Sequence, residues 1–186
     1  MVFVWWVWRF AVAAMVLIAS TVPAAHADSG FPDVNSYAAV DVEPYSVSLD
    51  FLGYTHGYQF AAPAGYRCRM YTAAKQYPAD FGQCWGSLPG TSDNAVSMSE
   101  AASAQVASKD LSTFDDYSVW DSVKEAEVKK RFGPEDYRVL PVGSRLSRYD
   151  LTCVVDAQMT ACITGKNART GEQHGFVLST RGNHLF

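Results

Sequence analysis

The stretch "DLTCVVDAQMTACITG" (Asp150–Gly165) places a cysteine on each side of a short polar turn. Val154, Val155, Ile163 and the neighbouring threonines are β-branched, and such side chains fit a pleated, half-buried surface better than a helix. Asp156–Met159 supplies the turn. The stretch therefore predicts a β-hairpin whose two strands carry Cys153 and Cys162.

Working outward, other segments carry the same signals. "YSVSLDFLGY" (Tyr45–Tyr54) alternates and is rich in aromatics. "YRCRMYT" sets Tyr66, Cys68 and Met70 against Arg67, Arg69 and Tyr71, the period-two pattern of a strand. "GFVLS" precedes a turn at Thr180–Asn183, and "HLF" follows it. Pro78–Asp93, "PADFGQCWGSLPGTSD", reads as a loop punctuated by Pro, Gly and Ser. Ala95–Asp110, rich in Ser and Ala, fits strand or helix equally. "DDYSVWDSVKEAEVKKRFG" (Asp115–Gly133) begins with acids, ends with bases and stops at Gly133-Pro134, so it predicts a helix. The expected fold is mainly β (α+β): a compact antiparallel or mixed β-sheet domain with about one helix.

The N-terminus reads as an export signal. Residues 2–22 are almost wholly apolar, with Arg9 the only charge, and Ala25-His26-Ala27 offers small residues for cleavage before Asp28. Residues 1–27 are thus a signal peptide and residues 28–186 a single exported β-rich domain, secreted or associated with the cell envelope. No later segment is apolar enough to span a membrane. Of the 15 Lys and Arg only Arg9 lies in the signal, so 14 bases face 19 acids in the exported part. With no basic stripe, nucleic acid is not an expected partner.

All four cysteines fall in the exported part, and an even count there reads as disulfides. Three pairings are possible. Cys68–Cys84 and Cys153–Cys162 are favoured because each pair brackets turn signals, and each closure is worth about 2–4 kcal/mol. Neither CxxC nor CxH spacing occurs, so no metal held by thiols is expected, and no cofactor.

A His-Gly-aromatic motif occurs twice, as His56-Gly57-Tyr58 and His174-Gly175-Phe176, each followed by an apolar run and a turn glycine, Gly65 or Gly182. Two imidazoles facing each other would make a partial metal site, but zinc takes three or four ligands and the sequence places no third. The expectation is architectural: both copies enter strands of one mixed sheet, with Tyr58 and Phe60, and Phe176 and Leu178, pointing into the core. The glycines would permit a close backbone approach. Possible binding residues are Trp85, next to Gly86 in the expected loop and suited to a sugar ring or a partner protein, with Tyr71 nearby, and His56 and His174; the favoured alternative for Trp85 is core packing over the Cys68–Cys84 bridge. Ser92-Asp93-Asn94 lacks the Ser-x-x-Lys and Lys-Thr-Gly that accompany a β-lactam-recognising site, and no Gly-x-Ser-x-Gly or His-Glu-x-x-His occurs. No catalytic residue is assigned.

"LPVGSRLSRYDLTCVVDAQMTACITGKN" with the terminal "HGFVLSTRGNHLF", together with "FAAPAGYRC", Cys84 and "SLPG" (Ser87–Gly90), resembles small exported actinobacterial proteins best represented in mycobacteria. The resemblance covers most of the exported chain, excluding Glu100–Arg131, and implies no catalytic residues. The expected function is a non-catalytic binding or structural module whose partner is an envelope component or another protein. The alternative is a small secreted hydrolase with an acid–base pair drawn from Asp50, His56, Asp80 and His174.

Overall fold

The computed structural model describes residues 30–49, 56–73 and 79–186. The expected signal peptide, Asp50, and the C-terminal part of the Tyr45–Tyr54 strand lie outside the described residues. Fourteen strands are defined among them: β1 (Ala38–Ala39), β2 (Ser46–Ser48), β3 (His56–Ala61), β4 (Arg67–Ala73), β5 (Ala79–Trp85), β6 (Ala95–Ser99), β7 (Ala102–Ala107), β8 (Asp116–Asp121), β9 (Ala126–Arg131), β10 (Ser144–Arg148), β11 (Leu151–Val155), β12 (Met159–Thr164), β13 (Gly175–Ser179) and β14 (His184–Leu185). One helical turn, α1, spans Ser112–Asp115. No helix among the described residues is long and apolar enough to cross a membrane.

The strands form two six-stranded sheets and a separate hairpin. The first sheet has the order β2-β3-β4-β5-β6-β7 and the second β1-β10-β11-β12-β13-β14. Only β1 and β10 run parallel within the sheets. Each sheet is a meander stapled at its central strand pair. Cys68 faces Cys84 across β4–β5, and Cys153 faces Cys162 across β11–β12. The Cα separations, 4.0 and 4.1 Å, are those of residues directly opposed on adjacent strands. Two disulfides fit a non-cytoplasmic environment.

The staples reveal a repeat in register. Phe60 pairs Cys68 and Cys84 pairs Val96 in the first sheet; Leu146 pairs Cys153 and Cys162 pairs Phe176 in the second. All eight side chains, with Tyr58, Met70, Leu151 and Leu178, form one core between the sheets. The flanks are tied as well. The Ala104 N–H donates to the Phe186 carbonyl at 3.3 Å, and Ala61 exchanges backbone bonds with residues 138–140 on the other side.

The His-Gly-aromatic motifs enter two different sheets, contrary to the expectation of one, because the structural repeat runs through the cysteine hairpins instead. In that repeat β3 corresponds to β10, not to β13. The inward residues are nevertheless as expected: Tyr58, Phe60, Phe176 and Leu178 are all buried. Both glycines serve close approach. A Cβ at Gly57 would lie 2.4 Å from Leu49 Cδ1, and one at Gly175 2.6 Å from Phe186 Cζ.

Two segments depart from expectation. Pro78–Asp93 is a loop only in its second half. Its first half is β5, where Gly82 sits under Met98 Cε, 2.8 Å from where a Cβ would be. Asp115–Gly133 is the β8–β9 hairpin and not a helix. Its helix-like charge order satisfies cross-strand pairing, with Asp116 opposite Arg131 and salt-bridged to it. Asp121 Oδ1 caps the turn by accepting from the Val123 and Lys124 amides at 3.0 and 3.1 Å. Ala95–Asp110, left open between strand and helix, is the β6–β7 hairpin followed by a loop.

Candidate functional site

The outward faces of the two sheets differ. In the second sheet Val154, Ala161 and Val177 lie side by side and are covered by Phe31, Val34 and Tyr37 of the N-terminal segment. In the first sheet the corresponding places hold Arg69, Gln83 and Ser97, with Gln59 beside Arg69. That polar face is covered by the segment from Leu111 to Tyr137, which contributes Leu111, Phe114, Tyr117, Phe132 and Tyr137 around Trp85 and Leu49.

Arg69 is 2% exposed, and a charge that deep must be paired or hydrogen-bonded. Its Nε and Nη2 donate to Gln59 Oε1 at 3.1 and 2.9 Å, Nη2 also to Tyr137 Oη at 3.1 Å, and Nη1 to the Phe114 carbonyl at 3.1 Å. Its guanidinium carbon lies 5.1 Å from the ring centres of both Trp85 and Phe132. Gln59 Nε2 in turn donates to the Asp136 carbonyl at 3.1 Å. Tyr137 Oη donates to Asp115 Oδ1 at 2.6 Å, and Arg67 forms an ion pair with Asp115 Oδ2. Burial lowers the Arg69 pKa from its ordinary value, opposed by Tyr137 and Asp115. Burial likewise raises that of Tyr137, opposed by Arg69.

Next to this network a cleft of about 250 Å³ opens between Gly65, Arg67, Trp85, Gly86, Leu111 and Asp115. Trp85 is 2% exposed, stacks on Phe114 at 4.8 Å, and its indole N–H has no hydrogen-bond partner among the described residues. A buried donor without a partner is uncommon and calls for an explanation. Arg67 and Asp115 neutralise each other, so the cleft combines no net charge, an apolar wall at Leu111 and one unspent donor nearby.

The sequence-derived candidates are dispersed. Trp85 sits on β5, not in a loop, and packs on the sheet's outer face, away from the Cys68–Cys84 bridge. Tyr71 stacks on Phe81 at 5.3 Å. His174 is half-buried, with Nδ1 3.4 Å from Ser103 Oγ, and its backbone N–H donates to Thr164 Oγ1 at 3.0 Å. The backbone of His56 pairs with Ser48 in the first sheet. His56 stands on β3 and Ser103 on β7, four strand spacings apart or about 19 Å along the sheet, so the two histidines are not brought together. The Asp80 carboxylate accepts from Thr72 Oγ1 at 2.5 Å and from the Asp150 amide at 2.9 Å, tying β5 to the β10–β11 turn. Among the described residues no three His, Cys, Asp or Glu side chains cluster to hold a metal. Arg67, Arg69, Gln59, Asp115 and Tyr137 were not signalled by the sequence; their partners lie up to 77 positions away. Comparison of the chain with family models, with curated proteins and with solved structures gives no match.

Proposed function

We propose that this chain is an exported, non-catalytic binding module of the cell envelope or extracellular space, and that the cleft at Arg67 and Trp85 is its ligand site. The observation that carries the proposal is the cleft of about 250 Å³ walled by Arg67, Trp85, Leu111 and Asp115. The ligand group that fits is a neutral carbonyl bearing a small apolar substituent. The internal Arg67–Asp115 pair leaves no net charge to match, the carbonyl accepts from the part-exposed Arg67 guanidinium, and the substituent packs on Leu111 beside Trp85, whose indole reports the binding. An acetamido group on an envelope sugar has this chemistry. The two disulfides and the apolar N-terminal segment support export.

Trp85 and Trp120 are the only tryptophans of residues 28–186, so Trp120→Phe leaves a single indole. In that variant, titration with N-acetylglucosamine should move the Trp85 Nε1–H resonance saturably, whereas glucosamine and acetate should not. A resonance unmoved by N-acetylated sugars, or moved equally by all three compounds, overturns the assignment.

A further inference from the structure

The β8–β9 hairpin pairs with neither large sheet. Its antiparallel ladder continues through the Phe132 N–H, which donates to the Asp115 carbonyl at 3.0 Å in the same register. Hydrogen-bonded and non-bonded pairs alternate in such a ladder. Val128 therefore directs its backbone groups at Val119 on β8, while Glu127, Lys129 and Arg131 direct theirs at the open edge. Such an edge is a template for another strand.

The side chains along that edge are ordered. Residues 125–131 read Glu-Ala-Glu-Val-Lys-Lys-Arg, with acids before Val128 and bases after it. All of β9 is exposed except Val128, which is half-buried against Val119. Lysines on an edge strand ordinarily repel a second strand. Here a second copy of the same strand, antiparallel and centred on Val128, sets each Glu127 opposite Lys129 of the other copy and Glu125 level with its Arg131. The backbone groups of Glu127 and Lys129 then meet as a hydrogen-bonded pair. A shift by two residues either way places Lys129 against Lys129 or Glu127 against Glu127, and a shift by one leaves the outward amides without opposing carbonyls. On the face bearing Val128, the valines of both copies form one apolar row, Val119-Val128-Val128-Val119.

We infer that the open edge of β9 is a self-association surface, through which two copies of this chain form a four-stranded sheet of order β8-β9-β9-β8 about a two-fold axis at Val128. This lies beyond the ligand-binding proposal and does not depend on it.

The test is a charge swap in the exported chain, read by sedimentation velocity over a concentration series. Wild-type protein should approach twice the monomer mass as concentration rises and retreat toward the monomer in high salt, because the pairs are solvent-exposed. Glu127→Lys and Lys129→Glu should each weaken association by about tenfold or more, since symmetry doubles every like-charge contact. The double swap should restore it. Val128→Cys should form an inter-chain disulfide faster than Lys130→Cys. A wild-type protein that stays monomeric overturns the inference, as does a dimer that either single reversal leaves intact or that the double swap fails to rescue.

Discussion

Arg69 and Val154 occupy the same place in their respective sheets: each follows the first cysteine of its hairpin and faces outward at the centre of the meander. Around Val154 the cover is apolar at its centre and fixed at its margin, where Arg145, the neighbour of Val154 on β10, donates to the Val34 carbonyl at 3.0 Å and β1 pairs with β10. Around Arg69 the cover is held by bonds with direction, from Gln59, Phe114 and Tyr137, and by two aromatic faces. The same stapled sheet thus accepts either kind of lid, one positioned by bonds at its margin and the other by bonds beneath its centre. A guanidinium with four directed bonds at the centre of a lid forbids slippage there, because any slip leaves a buried donor unmet.

The largest expected effect comes from removing that direction. Arg69→Ala should cost about 3–5 kcal/mol in a denaturant melt, because Gln59 and the Phe114 carbonyl lose their buried partner. Val154→Ala should cost about 2 kcal/mol, the loss of two buried methyls. Equal losses would erase the distinction between the lids.

The bridges sharpen the comparison from the other side. Chain-entropy reasoning gives about 3.1 kcal/mol for the 16-residue separation of Cys68–Cys84 and about 2.6 kcal/mol for the 9-residue separation of Cys153–Cys162. Replacing each pair by alanines should therefore destabilise the first sheet slightly more than the second. A reversed order would show that the unfolded chain is not what the bridges act on.

Tyr66 offers a smaller, pH-dependent test. Burial raises its pKa to about 12, and the nearby Thr160 hydroxyl works the other way without reaching hydrogen-bond geometry. The folded value exceeds the unfolded value of 10.0, so the fold keeps its proton longer than the unfolded chain does. Stability is then unaffected below pH 10 and declines as pH rises toward 12, by roughly 2–3 kcal/mol. Tyr66→Phe should make the alkaline decline shallower by this amount, the share of Tyr137 remaining, while changing the melt at pH 7 little. An unchanged alkaline slope in the variant would contradict the assignment.

The smallest effect belongs to His174. Its ring makes one long contact, 3.4 Å to Ser103 Oγ, and its strand is anchored through the backbone. His174→Ala should cost under about 0.5 kcal/mol, as expected for a partly exposed side chain away from the core. A loss near that of Arg69→Ala would make the histidine a second organising centre.

What could be seen in the sequence was whatever is local. The hairpin at Asp150–Gly165 and the pairing of its cysteines follow from period-two alternation around a turn, and both are present. The inward pairs Tyr58 with Phe60 and Phe176 with Leu178 follow from the same rule. Charge order misled at Asp115–Gly133, because acids before bases suit a helix dipole and also suit opposite strands of a hairpin. Glycine misled at Gly82, which reads as a loop signal but makes room for Met98. The candidate site was legible only in Trp85. Arg69 looks in sequence like an exposed strand residue, and its burial depends on Phe114 and Tyr137, 45 and 68 positions downstream. No local pattern announces such partners.

The cysteine connectivity bears on how the protein is made. Bridges joining first to second and third to fourth cysteines are nested within consecutive stretches of chain, and neither encloses the other. A chain emerging N-terminus first into an oxidising compartment meets the thiols in pairing order. Acid-trapped intermediates should accordingly carry Cys68–Cys84 before Cys162 has appeared. On such a route oxidation would keep pace with delivery, each hairpin sealing while the next is still arriving, with no bond to reshuffle.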